Sequence, residues 1–164
     1  MGSEMCIRDR ARSLVKDGNG VIYAGFVGDM GYLASNERGE VQFISLKNEL
    51  PKEYQAFREI WSTLYYEGDV YFQTHQHLFR WTGTEMQVLT PQNNINGICV
   101  IRDQLYAGIY DIGLCKLVGG EFELVPGGEI FANRRIYDLL PYGCLLYTSP
   151  SPRDLSTSRM PSSA

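Results

Sequence analysis

Short runs of β-branched and aromatic residues recur three times along this chain in one four-part order, and a repeat of that kind narrows the fold before anything else does. The first unit reads Ser13-Leu14-Val15, Val21-Ile22-Tyr23-Ala24-Gly25, Gly31-Tyr32-Leu33 and Val41-Gln42-Phe43-Ile44. The second reads Trp61-Ser62-Thr63-Leu64, Val70-Tyr71-Phe72-Gln73, Leu78-Phe79-Arg80-Trp81 and Met86-Gln87-Val88-Leu89. The third reads Ile98-Cys99-Val100-Ile101, Leu105-Tyr106-Ala107-Gly108, Gly113-Leu114-Cys115-Lys116 and Phe122-Glu123-Leu124-Val125, and a fourth opens at Ile136-Tyr137-Asp138-Leu139-Leu140. Each run has strand composition, and the breaks between runs have turn composition. Gly and Asn in Asp17-Gly18-Asn19-Gly20, Asn36-Glu37-Arg38-Gly39 and Gly119-Gly120 supply the positive φ of tight hairpins. Glu67-Gly68-Asp69, Thr82-Gly83-Thr84 and Arg102-Asp103 take the corresponding places.

The central tyrosines Tyr23, Tyr71 and Tyr106 lie 48 and 35 residues apart. The longer interval holds an insertion, Lys47 to Arg58, whose Pro51-Lys52-Glu53-Tyr54-Gln55-Ala56-Phe57 stretch predicts one or two helical turns. Four-stranded units repeating at roughly 35–45 residues are the signature of β-propeller blades. One such sheet cannot bury both faces alone, so neighbours must stack. The expectation is an all-β chain forming a partial β-propeller. Its blades fall at about 11–46, 58–91 and 94–128, with the start of another at 129–143. A β-sandwich would also supply evenly spaced strands, but it leaves the four-strand grammar unexplained.

The two ends follow a different logic. Gly2-Ser3-Glu4-Met5-Cys6-Ile7-Arg8-Asp9, back-translated as GGC TCG GAG ATG TGT ATA AGA GAC and extended by AG, has a reverse complement that reads Cys-Leu-Leu-Tyr-Thr-Ser-Pro-Ser. Residues Cys144 to Ser151 are that peptide, and the proline codon that follows, starting CC, gives Pro152. Such an inverted repeat resembles the transposon adapters of shotgun sequencing libraries, and Ser158-Arg159-Met160-Pro161-Ser162-Ser163-Ala164 resembles a translated downstream primer. Residues 1–10 and 144–164 are accordingly set aside from fold reasoning, and 11–143 is read as an internal piece of a longer protein. Cys99 and Cys115 then remain, and both read as small buried hydrophobes.

The net charge of −4 for the whole chain argues against a nucleic-acid-binding surface, which needs a basic stripe. No phosphate-binding Gly loop, nucleophile elbow or zinc-protease helix occurs in the sequence. No catalytic residue, cofactor or metal is therefore expected. His75 and His77 are the only histidines. At i and i+2 they could share a metal from one strand face, but they fall at a turn and read as a polar hairpin tip.

The run Gly18-Asn19-Gly20-Val21-Ile22-Tyr23-Ala24-Gly25, followed by Gly31-Tyr32-Leu33, resembles a blade of the two-component regulator propellers. Val70-Tyr71-Phe72-Gln73-Thr74, Leu78-Phe79-Arg80-Trp81 and Leu124-Val125-Pro126-Gly127-Gly128 look like later blades of that family, and the resemblance spans 11–143. Blade two departs from the pattern, with Gln73 where Gly25 and Gly108 stand. Blade three lacks the Asp-x-x-Gly turn.

The resemblance implies a sensor propeller on the periplasmic side of an inner-membrane protein. In that family, common in Bacteroidetes-type bacteria, the propeller precedes a transmembrane helix. The cytoplasmic output is a histidine kinase, a hybrid kinase or a helix-turn-helix module. The propeller works within a dimer and binds a small ligand such as an oligosaccharide. Scaffold blades of a propeller enzyme, such as a quinone-dependent dehydrogenase or a lyase, and a protein-interaction propeller are the competing readings, because fold alone does not select among them.

The loops between second and third strands, Phe26 to Gly31, Thr74 to His77 and Ile109 to Gly113, belong to one rim. Asp29, Gln76, Tyr110 and Asp111 in those loops are the expected ligand-binding residues. Aromatic rings stack on sugar faces, while carboxylate and amide groups pair with hydroxyls.

Overall fold

The computed structural model describes residues 11–136, 139–142 and 145–148. The chain is all-β, and its strands form three four-stranded antiparallel sheets. The first contains β1 (Ser13–Lys16), β2 (Ile22–Gly25), β3 (Met30–Ser35) and β4 (Val41–Ser45). The second contains β5 (Ser62–Tyr66), β6 (Asp69–Gln73), β7 (Leu78–Trp81) and β8 (Met86–Leu89). The third contains β9 (Ile95–Ile101), β10 (Gln104–Ile109), β11 (Gly113–Val118) and β12 (Glu121–Leu124). Within each sheet spatial order follows chain order, as in a propeller blade. A further hairpin pairs β13 (Leu139–Tyr142) with β14 (Leu145–Thr148). Residues 137–138 of the expected fourth unit, 1–10, and 149–164 lie outside the described residues.

The first strands of successive sheets touch, β1 to β5, β5 to β9 and β9 to β13, whereas β4 and β12 carry mostly exposed residues. First strands thus line the inner side and fourth strands the outer edge, the arrangement of a partial β-propeller. The hydroxyls of Ser13 and Thr63, 2.6 Å apart, link the first two inner strands.

Period-2 alternation on the second strands explains the cores. Val70 and Phe72 of β6 face the first blade, in a cluster with Tyr23, Met30, Ile60 and Phe79. Tyr71 points the other way, toward Leu105, Ala107 and Ile109 of β10. Tyr106 then faces outward from the third blade, toward Ile136 and Leu114. Tyr106 is only half-buried, unlike Tyr23 and Tyr71.

The glycines after the central aromatics have one steric cause. A Cβ on Gly25 would stand 2.3 Å from Ile60 Cγ2, and one on Gly108 would stand 3.1 Å from Ile136 Cδ1. At the first boundary Ile60 occupies the space of the missing side chain, whereas at the third Ile136 only crowds it. Gln73, at the middle boundary, instead donates its buried amide to the carbonyl of Ile95, at 3.3 Å. The departure from the repeat is therefore a polar version of the same latch.

Hairpin chemistry differs from the expectation in one respect. Arg102 and Asp103 both adopt positive φ, 50° and 58°, as does Glu67 at 51°. These turns take the mirror-type conformation without Gly or Asn at those positions. The insertion forms two short 3-10 turns, Lys47–Glu49 and Lys52–Tyr54. Among the described residues no helix is long and apolar enough to cross a membrane.

Candidate functional site

The connection from β4 to β5 builds one wall of a cleft of about 570 Å³ on the rim that carries the second-to-third-strand loops. Leu46 donates its backbone N–H to Met30, which starts the connection on the first blade. Leu46 and Leu50 are buried in the first interblade core on either side of the first 3-10 turn, and Pro51 precedes the second. Gln55 Nε2 ties back to the Leu50 carbonyl at 2.8 Å. Tyr54 and Phe57 lay their rings on the second blade, edge-on to His77 at 5.1 Å and to Phe79 at 5.5 Å. Lys47 caps this wall, bonding to the Gly28 carbonyl at 2.9 Å with its ammonium 5.7 Å from the Phe57 ring.

The chain then runs extended through Arg58, Glu59 and Ile60 beside the first blade's loop. Gly28 donates to Arg58 at 2.8 Å, and Ile60 donates to Phe26 at 3.0 Å. Asp111 donates in the same way to Ala132, so the inner rim is stitched similarly at the third blade.

Trp61, 42% exposed, sits at the centre of a polar and aromatic group. The Arg12 guanidinium lies 5.4 Å from its ring and is held by Glu59 at 3.0 Å. His75 meets the same ring edge-on at 5.2 Å. The opposite wall is the hairpin tip Thr74 to His77, organised by one hydroxyl. Thr74 Oγ1 accepts from His77 N at 2.9 Å and Gln76 N at 3.2 Å. Asn94 closes the inner end.

The two histidines diverge. His75 turns to Trp61, while His77 packs between Tyr54 and Phe79 and has Nδ1 2.9 Å from Thr90 Oγ1. Burial pushes the His77 imidazolium pKa below its usual value, so the ring is neutral at neutral pH. Their turn geometry, unlike a strand, gives them different neighbours. Among the described residues no three His, Cys, Asp or Glu side chains gather as a metal set.

Of the four residues expected to bind ligand, Gln76 alone lines this cleft. Asp29 is engaged in its own loop, where its carboxylate accepts from Met30 N at 2.8 Å and Ser45 Oγ at 2.5 Å. Tyr110 and Asp111 are exposed on the corresponding loop of the third blade. The backbone of Tyr110 donates to Asn94, so that loop adjoins the inner end of the cleft. Asp111 adopts φ of 62° and accepts from Asn93 Nδ2 at 3.5 Å.

The residues the sequence reading did not single out are Tyr54, Phe57, Arg58, Trp61 and Asn94. Most come from interblade connections, and Trp61 reads from sequence as an ordinary strand residue. Its position next to an insertion that interrupts the repeat was the available signal.

Exposed indole, an exposed guanidinium at Arg58, and amides at Gln76 and Asn94 form a surface with the chemistry to stack on an apolar ring face and to hydrogen-bond at its rim. No protein-family profile and no curated protein sequence matches this chain.

Proposed function

We propose that this chain is a ligand-sensing stretch of propeller from a membrane-anchored bacterial signal-transduction regulator, and that it binds rather than transforms its ligand. One observation carries the binding part of this reading. The rim cleft brings Trp61, Tyr54, Gln76, Asn94 and Arg58 together where an interblade connection meets a second-to-third-strand loop. Aromatic faces beside amide and guanidinium donors suit a polyhydroxylated ligand such as an oligosaccharide. The regulator part follows the sequence resemblance: ligand binding repositions the propeller in a dimer and biases a two-state signalling element.

Titration calorimetry of the chain against an oligosaccharide panel tests the site. Trp61→Ala and Gln76→Ala should each weaken binding by roughly tenfold, about 1.4 kcal/mol, with little change in Tm. Tyr110→Ala and Asp111→Ala should weaken it less, while Asp29→Ala should lower Tm because its carboxylate closes a turn. Unchanged affinity in both cleft variants would remove the site.

A further inference from the structure

The three turns between second and third strands repeat one arrangement. Two residues after Gly25, Gln73 and Gly108 stand Val27, His75 and Tyr110. All three are exposed, Val27 at 51% and Tyr110 at 46%. The interblade connections lace these turns together through the backbone. Glu59 pairs with Val27 in an isolated bridge, while Ile60 and Trp61 donate to Phe26 at 3.0 Å and to Gln73 at 2.8 Å. One boundary later Ile95 donates to His75 at 2.6 Å, and Asn94 accepts from Tyr110 at 2.9 Å. Each connection is bonded to the turn on either side of it. Successive turns are therefore two steps of about 4.8 Å apart, and the three together span roughly 20 Å. Trp61 lies between the first two turns, its ring 5.2 Å from that of His75.

The result is a row of exposed apolar and aromatic side chains along one rim, Val27, Trp61, His75 and Tyr110, with the amides of Gln76 and Asn94 beside it. Beyond the Arg12–Glu59 pair the same rim carries Lys47 and Arg58 against Asp29, Glu53 and Asp111, so neither sign of charge prevails. The cleft itself ends at Asn94, and Tyr110 stands one backbone hydrogen bond further on. We propose that this row is an extended binding track, along which a neutral oligosaccharide lies lengthwise across successive blades. Trp61 holds one sugar ring, and Tyr110 holds a ring further along the same chain. The inference rests on the cleft reading given above and adds to it the length and the neutrality of the ligand.

Calorimetry of the full 164-residue chain against cello-, xylo- and manno-oligosaccharides, from disaccharide to hexasaccharide, tests it. In the series that binds, the hexasaccharide should bind at least about tenfold more tightly than the disaccharide. Tyr110→Ala should remove most of that gain and Tyr110→Phe should keep it, whereas Trp61→Ala should weaken every length. Both Tyr110 variants should melt with the parent chain, because the side chain is exposed. Equal affinity for all lengths, with Trp61→Ala still harmful, would overturn the track and leave the cleft standing. A gain with length that survives Tyr110→Ala would overturn it as well. So would tighter binding of oligogalacturonate than of any neutral series. No binding at any length, or binding untouched by Trp61→Ala, would remove the cleft and the track together.

Discussion

Gly25 lies against Ile60, and one added methyl group there perturbs the boundary between the first two blades with little other change. The Cβ of Gly25→Ala would stand 2.3 Å from Ile60 Cγ2 and 2.8 Å from Ser13 Oγ. Carbon atoms prefer about 3.5–4.0 Å, so one partner must retreat by more than about 1 Å. Ile60 is fully buried and its backbone is tied to Phe26, which leaves it little freedom. Overpacking of this kind costs about 1–3 kcal/mol, and the lower chain entropy of alanine when unfolded returns about 0.4–1 kcal/mol. A net loss of about 2 kcal/mol follows from the upper part of that range, or about 4–8 °C in Tm for a chain of this size. Gly108→Ala is the control. Its Cβ meets the flexible end of Ile136 at 3.1 Å, so the change should stay within about 0.5 kcal/mol. Ile60→Ala alone should cost about 2–5 kcal/mol, but in that background Gly25→Ala should cost nothing further. Urea denaturation followed by circular dichroism measures all four corners of this cycle. Equal effects at Gly25 and Gly108, or strict additivity with Ile60→Ala, would refute the steric latch.

Three further outcomes are expected. The double change Arg102→Asn with Asp103→Gly supplies residues that accept the positive φ of that turn, and should raise stability by about 1 kcal/mol in a urea titration. Burial lowers the His77 pKa in the fold, so the unfolded chain takes up this proton first as pH falls. Stability should drop below about pH 6.5, and His77→Gln should flatten that part of the Tm–pH curve. Leu14 and Val41 are 62% and 59% exposed on the first blade, so Leu14→Lys with Val41→Lys should reduce self-association seen by light scattering while Tm stays nearly fixed.

Strand positions were legible because strands buried on both faces read as short continuous apolar runs, as in Val70-Tyr71-Phe72, and because glycine punctuates the hairpins. The latch partners were not. Ile60 follows Gly25 by 35 residues and Ile136 follows Gly108 by 28, since connection lengths vary between blades. The insertion's helical turns were visible in Pro51 to Phe57, but their place over Phe79 depends on a three-dimensional boundary that no local pattern encodes. Asp29 shows the opposite difficulty. An aspartate in a rim loop is equally suited to a ligand hydroxyl and to the hydroxyl of Ser45, and here its carboxylate accepts the bond from Ser45. Trp61 carried the ambiguity of any aromatic at a strand start, and its exposure became apparent only with Arg12 and His75 around it.

The glycine–isoleucine latch also makes the blades interchangeable in one direction only. The first and third boundaries join a socket on the preceding blade to a plug on the following one, so a duplicated unit that carries both a glycine socket and an isoleucine plug arrives in tandem with both halves already matched. Gene duplication can therefore lengthen such an array without redesigning its seams, while an inverted or circularly misaligned unit would press plug on plug. The middle seam carries a different key, because Gln73 reads a main-chain carbonyl rather than a methyl group. A unit that follows Gln73 must offer a carbonyl at that point, whatever side chain it carries. That seam is where this array would best tolerate an unrelated neighbour during its evolution.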